Sequence, residues 1–287
     1  MPTTYAHWRF GDRCMKKLPG NIYQMILDNR AVFDYGVHGP DIFFYYNCLK
    51  KNEVNDFGTR MHEIPFGDTL EQIRPCFQKC DDKKAALSYL LGFTCHFVMD
   101  SYCHGYIERK DELSKASHGR IESQFDRYLL IKDGYDPVKK KVTFSLRPDR
   151  KMAHVISQLF PVWDEKTIYK TLKDQKFYLN LLKDNSKLKR WILSKGMDKL
   201  HVSSFKDLML TEENDPEVAD AMLRLDKLSV NALEHYPKLA KSLIGYLLHG
   251  DEPDPYFRNH FCQKEDYKDI PVLPLALERS YRTYRQR

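Results

Sequence analysis

The sequence predicts an all-α protein, and three observations carry that prediction. Apolar residues recur at helical spacing through most of the 287 residues. Pro and Gly fall between those stretches and punctuate them. The ligand-type side chains also come four apart, first as His96-x3-Asp100-x3-His104 and then as His118-x3-Glu122. Positions four apart drift by only about 40° around a helix, so each burst shares one face. Two such faces turned toward each other make a metal cage.

The elements follow in order. Ile22, Met25 and Ile26 predict a helix over 21–28, and Ile42, Tyr45, Tyr46 and Leu49 predict one over 41–49. Leu70, Ile73 and Phe77 mark 68–80, and Leu87, Leu90, Leu91 and Phe97 mark 83–108. Ile121, Phe125 and Leu129 define 117–131, and Met152, Val155, Ile156 and Leu159 define 152–159. The remaining helices are 165–182, 188–193 and 216–248, the last on Leu225, Leu228, Ala232, Tyr236 and Leu239. Residues 140–146 alternate like a strand, but Pro137 and Pro148 flank them, so a connecting loop or small hairpin is expected there.

The chain is expected to be a single all-α domain, 1–287. Residues 1–132 carry the candidate ligands, 133–149 connect, and 150–287 complete the bundle and wall one side of a cleft. The histidines beyond the connection (His154, His201, His235, His249 and His260) have no carboxylates at helical spacing, so no second cage is expected. With 42% hydrophobic and 30% charged residues the chain is neither disordered nor fibrous. A net charge of +6 suits an anionic substrate or surface but falls short of a nucleic-acid footprint.

No run approaches the ~20 apolar residues that span a bilayer. The start, Met1 to His7, lacks the basic and apolar regions of a signal peptide. Seven cysteines without repeated spacing argue against a disulfide framework and for a reducing compartment. The expected location is therefore cytoplasmic.

Asp100 sits in an apolar segment, Leu91 to Met99, where an unpaired charge costs several kcal/mol. A hydrogen-bonded His–Asp pair would meet that need once. Five ligand-type groups in succession point instead to a metal. Imidazole and carboxylate without convergent thiolates favour zinc, with manganese or iron open. The Glu-x-x-His pairs of di-iron bundles are absent. Two adjacent metals need a bridging carboxylate, and Asp100, with histidines on both sides, is the natural one.

Ala6-His7-Trp8, Gly39-Pro40-Asp41, Met61-His62-Glu63, His96-x3-Asp100, His104-Gly105 and Ser117-His118-x3-Glu122 together resemble the bacterial zinc-dependent phospholipase C family, related in fold to the S1/P1-type nucleases. As an ordered set the resemblance is specific, and it covers about the first 130 residues. It implies a helical bundle with a trinuclear zinc site in a cleft, holding up to three ions per chain. Asp41, His62, His96 and Asp100 would hold one zinc, and His104, His118 and Glu122 a second. A third would take His7, the bridging Asp100 and the N-terminal amine of Met1 or, after its removal, Pro2.

The implied reaction is attack of a metal-activated hydroxide on a phosphodiester, possible at neutral pH because zinc lowers the pKa of bound water from about 15.7 toward 7. Asp41 is expected at a loop–helix junction, as a ligand or as an orienter of the nucleophile.

Two features separate the chain from the secreted relatives. Asp100 and His104 lie closer in sequence than in those enzymes, so the helix is expected to run on between them. Ile42 and Thr59 stand where the choline-specific enzymes carry aromatics, so no choline cage is implied there. The aromatics Phe43 to Tyr46, Tyr5, Trp8, Tyr102 and Tyr106 either line the cleft or belong to the core.

Three functions are consistent with these residues: a phospholipase C-like phosphodiesterase, a single-strand nuclease with a base-stacking aromatic, and a zinc protein without turnover. The implied substrate is a phosphodiester, either a phospholipid or a soluble one, and no obligate protein partner is implied. The basic end, Glu278 to Arg287, is expected to be a solvated tail.

Overall fold

In the computed structural model, residues 4–183, 187–199, 206–207, 209–210, 213–262 and 267–282 are described. In chain order the α-helices are α1 (Thr4–Met15), α2 (Gly20–Asp28), α3 (Arg30–Gly36), α4 (Glu53–Glu63), α5 (Phe66–Gln78), α6 (Lys83–Leu113), α7 (His118–Lys132), α8 (Arg150–Leu159), α9 (Glu165–Leu182), α10 (Lys187–Lys199), α11 (Ala219–Leu248) and α12 (Leu275–Glu278). Short 3₁₀ segments at Gly39–Tyr45, Pro216–Val218, Pro255–Arg258 and Tyr267–Asp269 join them. The described residues contain no strand, so the class is all-α.

Helix α6 is the axis. Asp82 caps it by accepting from the Ala85 N–H at 3.0 Å, and every residue from 85 to 107 is buried. A helix that is buried on all sides must be covered on all sides. Helices α3 and α11 pack along it most extensively, with α1, α7 and α8 filling the remaining faces. Tyr236 of α11 donates to the Leu91 carbonyl of α6 at 3.1 Å.

Helix α3 approaches so closely that two glycines are required. A Cβ on Gly36 would lie 2.2 Å from the Tyr89 oxygen, and one on Gly92 2.5 Å from the Phe33 oxygen. Those neighbours are backbone and cannot swing aside.

The predicted 165–182 coincides with α9, and most other predicted helices differ by a few residues at their ends. Three expectations need correction, while the loop expected over 140–146 is present. Residues 41–49 do not form an α-helix: a 3₁₀ segment, Gly39–Tyr45, opens on left-handed Gly39 (φ +50) and stops at extended Tyr46, just before left-handed Asn47 (φ 44). Helices α1, α3 and α4 were not anticipated. Residues 140–146 form a loop in which Thr143, Ser145 and Leu146 are buried while Phe144 faces outward under Lys140. The basic end does not begin in solvent, because Glu278 is fully buried and pairs through both oxygens with Arg224 at 2.8 Å. Residues 283–287 lie outside the described residues, as does His201.

The α3–α6 contact gives a direct test. Gly92→Ala is expected to cost roughly 1–3 kcal/mol, because the added methyl forces the two backbones apart. Urea unfolding should show a lower midpoint with an unchanged slope.

Candidate metal centre

Helix α6 carries His96, Asp100 and His104 into the interior on one face, and α7 brings His118 and Glu122 to meet them. Their backbones run on without a break between Asp100 and His104, as expected. Asp41 enters from the first turn of the 3₁₀ segment, His62 from the last turn of α4, and His7 from the first turns of α1. Side chains from five elements thus converge. Three groups of the candidate ligands have atoms within 4.8 Å of one another: His104/His118/Glu122, grouped as expected, Asp41/His62/His96, without Asp100, and His7/Asp100 together with His96 rather than the N-terminal amine.

Asp100 is the hub. Its Oδ2 lies 2.9 Å from His96 Nε2, while its Oδ1 lies 3.2 Å from His7 Nε2 and 3.5 Å from His104 Nε2. Asp41 faces His62 Nε2 at 3.1 Å and His96 Nε2 at 3.5 Å. Glu122 lies 3.1 Å from His118 Nε2 and 3.5 Å from His104 Nε2.

The outer ring nitrogens set the tautomers. His62 Nδ1 lies 2.8 Å from the Gly58 carbonyl and His96 Nδ1 3.3 Å from that of Val37. A carbonyl only accepts, so each Nδ1 carries a proton, and Nε2 is the ring nitrogen left for the carboxylates or for an ion between them. Metal-binding histidines are held in this way. His96 packs so tightly on Gly39 that a Cβ there would lie 2.4 Å from the ring, and the positive φ of Gly39 also demands glycine. His7 stacks on His96 at 4.2 Å, while Phe44 and Phe261 lie against His62 at 5.3 and 5.2 Å.

Electrostatics keep the cage carboxylates ionised and, against burial, raise the His7, His62 and His118 imidazoles beside them. Burial raises the Asp41 pKa, yet His96 and His62 hold it down to about 2. Asp100 is likewise buried, and the His96, His104 and His7 imidazoles hold it well below the usual carboxylate range. Burial pushes His104 down to about 4, so that ring is neutral at pH 7.

The donor set fits a divalent cation. Fully buried His96 Nε2 faces two carboxylates without making a hydrogen bond of good geometry, and His7 Nδ1 has no partner. A cavity of about 10 Å³, walled by His7, Asp100, His104 and Glu122, leaves room for one water-sized species. Leu225 of α11 lines one side of it. The N-terminal amine invoked for a third ion belongs to Met1 or Pro2, which lie outside the described residues.

Three participants escaped the sequence reading. His38 is fully buried behind the cage, with neither ring nitrogen bonded; burial and the neighbouring His7 and His96 push it down to about 3. Asp126 accepts the Tyr5 and Ala6 N–H groups at 3.0 and 2.7 Å and so pins the first turn of α1, which carries His7. Burial raises it to about 7. Its signal was present, since Asp126 follows Glu122 by the same spacing of four.

The third, Cys262, corrects the expectation that no thiol converges. Its Sγ lies 3.1 Å from His104 Nδ1, and with Glu108 it makes a further group within 4.8 Å. Nothing in its sequence neighbourhood marks it.

Of the aromatics, Tyr5, Phe43, Tyr45 and Tyr106 belong to the core, whereas Phe44, Tyr46 and Trp8 are half-buried. Tyr102 is buried and within 3.1 Å of His235 Nδ1.

An all-helical fold enclosing histidines and carboxylates around a shared aspartate defines a class, the helical proteins with clustered candidate metal ligands. The chain belongs to the zinc-dependent phospholipase C family, whose model matches residues 6–194 and so spans every ligand from His7 to Glu122. No curated protein and no solved structure matches the chain.

Two outcomes follow from the cage. Zinc added to metal-stripped protein should raise Tm progressively with its concentration, because only the folded chain assembles these ligands; a Tm indifferent to zinc would count against the site. Asp126→Ala should cost about 1–3 kcal/mol by leaving two buried N–H groups unpaired, with a smaller loss for Asp126→Asn. Urea midpoints measure both.

Proposed function

We propose that the chain is a zinc-dependent phosphodiesterase of the phospholipase C type that hydrolyses the phosphodiester of a phospholipid. The observation that carries this reading is the single carboxylate of Asp100 set among His7, His96 and His104. Such an arrangement suits ions that share one bridging ligand.

Asp41, His62, His96 and Asp100 would hold one zinc, His104, His118 and Glu122 a second, and His7 with Asp100 part of a third. Bound zinc would supply an activated water at neutral pH and would neutralise charge on the phosphoryl oxygens.

The chain's own residues do the rest. His62 and His96, locked through Nδ1, hold their Nε2 atoms fixed, so little reorganisation accompanies the reaction. Asp41 stays ionised and is placed to orient the attacking water or accept its proton. Water adds at phosphorus, the bond to the lipid alkoxide breaks, and the proton released by water ends on that alkoxide.

His118 is the most exposed ligand, at 27% of its side chain, against 0–12% for the others. Substrate therefore reaches the cage from the α7 end.

Two residues bear on the headgroup. Ile42 is fully buried and Thr59 is exposed on α4, so neither builds a choline cage. One face of Phe44 is taken by His62, which leaves it a brace for the cage rather than a free platform for a base. That favours a phospholipid over a single-stranded nucleic acid. We further assign the chain to the cytoplasm, a reading supported by seven unpaired cysteines.

The test is a substrate panel with zinc-loaded protein: vesicles of zwitterionic and anionic phospholipids, single-stranded DNA and RNA, and a simple aryl phosphodiester. Release of phosphorylated headgroup, lost on chelation and restored by zinc, is expected. Asp100→Asn should abolish turnover and lower zinc stoichiometry, and His118→Ala should empty one site while circular dichroism stays helical. Cleavage of nucleic acid alone would favour the nuclease reading. A zinc-loaded chain that hydrolyses nothing in the panel would be a zinc protein without turnover.

A further inference from the structure

The segment from Asp254 to Cys262 lies beyond the 6–194 span matched by the family, yet it is built into the back of the cage. It is anchored along its length. The Asp254 N–H donates to Ser242 Oγ at 2.7 Å, Tyr256 Oη lies 3.0 Å from Ser101 Oγ on α6, and the Phe66 N–H donates to the Asn259 carbonyl at 3.0 Å. His260 Nδ1 lies 2.9 Å from the Glu63 carbonyl, next to His62. Phe261 is fully buried and rests on His62 and His96 at ring distances of 5.2 and 5.8 Å.

These anchors deliver Cys262 Sγ to 3.1 Å from His104 Nδ1. His62 and His96 have their outer nitrogens fixed by backbone carbonyls, whereas His104 has a side chain in that place. We infer that Cys262 is the positioning residue of His104: its sulfur accepts the Nδ1 proton, which leaves the Nε2 lone pair directed at Asp100 and Glu122. An imidazole that keeps its proton on the outer nitrogen is a better and better-aimed ligand. The strap therefore sets the zinc affinity of the His104/His118/Glu122 site without touching the ion.

This inference rests on the metal-centre reading, and the experiment separates the two. Full-length wild type, Cys262→Ala and Cys262→Ser are stripped of metal and titrated with zinc against a chromophoric chelator. The imidazole nitrogens are followed by long-range ¹H–¹⁵N spectra. Cys262→Ala is expected to weaken one zinc site by about 10–100-fold and to shift the His104 nitrogen signals. Cys262→Ser keeps an acceptor in the same place and should recover most of the affinity.

Cobalt loading supplies an independent readout. A thiolate-to-cobalt charge-transfer band in wild type, lost in Cys262→Ala, would show sulfur bound to metal and overturn the inference. Unchanged affinity and unchanged His104 signals in Cys262→Ala would overturn it as well. A wild-type chain that takes up no zinc would overturn the cage itself, and the positioning role with it.

Discussion

The structure turns on the burial of Asp100. An ionised carboxylate in the middle of an apolar helix, uncompensated, costs on the order of several kcal/mol. The chain does not neutralise it. Imidazoles from three directions surround the group, and their presence keeps it charged against the pull of burial. Asp41 is treated in the same way by His62 and His96. Neutral imidazoles offer dipoles but no net charge, and burial keeps the His104 and His38 rings neutral. The carboxylates in turn raise His7, His62 and His118 against burial, so proton and charge are shared across the cluster in the way a divalent cation would take over.

The rest of the fold keeps those directions fixed. Helix α6 can hold ligands in the interior because α3 meets it backbone to backbone at Gly36 and Gly92, leaving no slack along the shared face. Helix α1 would be free to rock at its first turn, but Asp126 from α7 takes two of its N–H groups, so His7 and Glu122 are fixed to one frame. The strap that follows α11 braces His62, His96 and His104 from behind with one aromatic ring and one sulfur. Each ligand is thus held by a group far from it in sequence. That arrangement suits a site whose chemistry depends on preorganised charge.

The axial helix and the ligand bursts were legible because both follow the helical period, and the period survives burial. Helix α9 was read to the residue for the same reason: Ile168, Leu172, Leu179 and Leu182 keep a clean stripe. Other elements were hidden by local chemistry. Helix α3 has only seven residues, too few to show a period, and in α4 Gly58 and the charged residues dilute the apolar signal. Residues 140–146 alternate apolar with polar, but the described residues hold no second strand to pair with, and Thr143 turns inward to donate to Asn180 at 2.6 Å. Asp126 was one step of the same spacing away. Cys262 and His38 could not be found from sequence, since their roles exist only once the chain has folded around α6.

The gradient of exposure across the cage decides how it can work. His7, His96, Asp100 and Asp41 are sealed, so a ligand exchanging with solvent cannot do so through them. His118 stands at the start of α7, where Ser117 caps the helix and also donates to Asp207 at 2.7 Å. The rim is therefore built from the start of α7, where Ser117 already accepts from the Arg120 N–H. Under the proposed function the sealed end would hold ions and the open end would admit the phosphodiester, and α6 presents its candidate ligands between them. Asp100, one turn from each neighbouring histidine on that helix, stands where the two requirements meet.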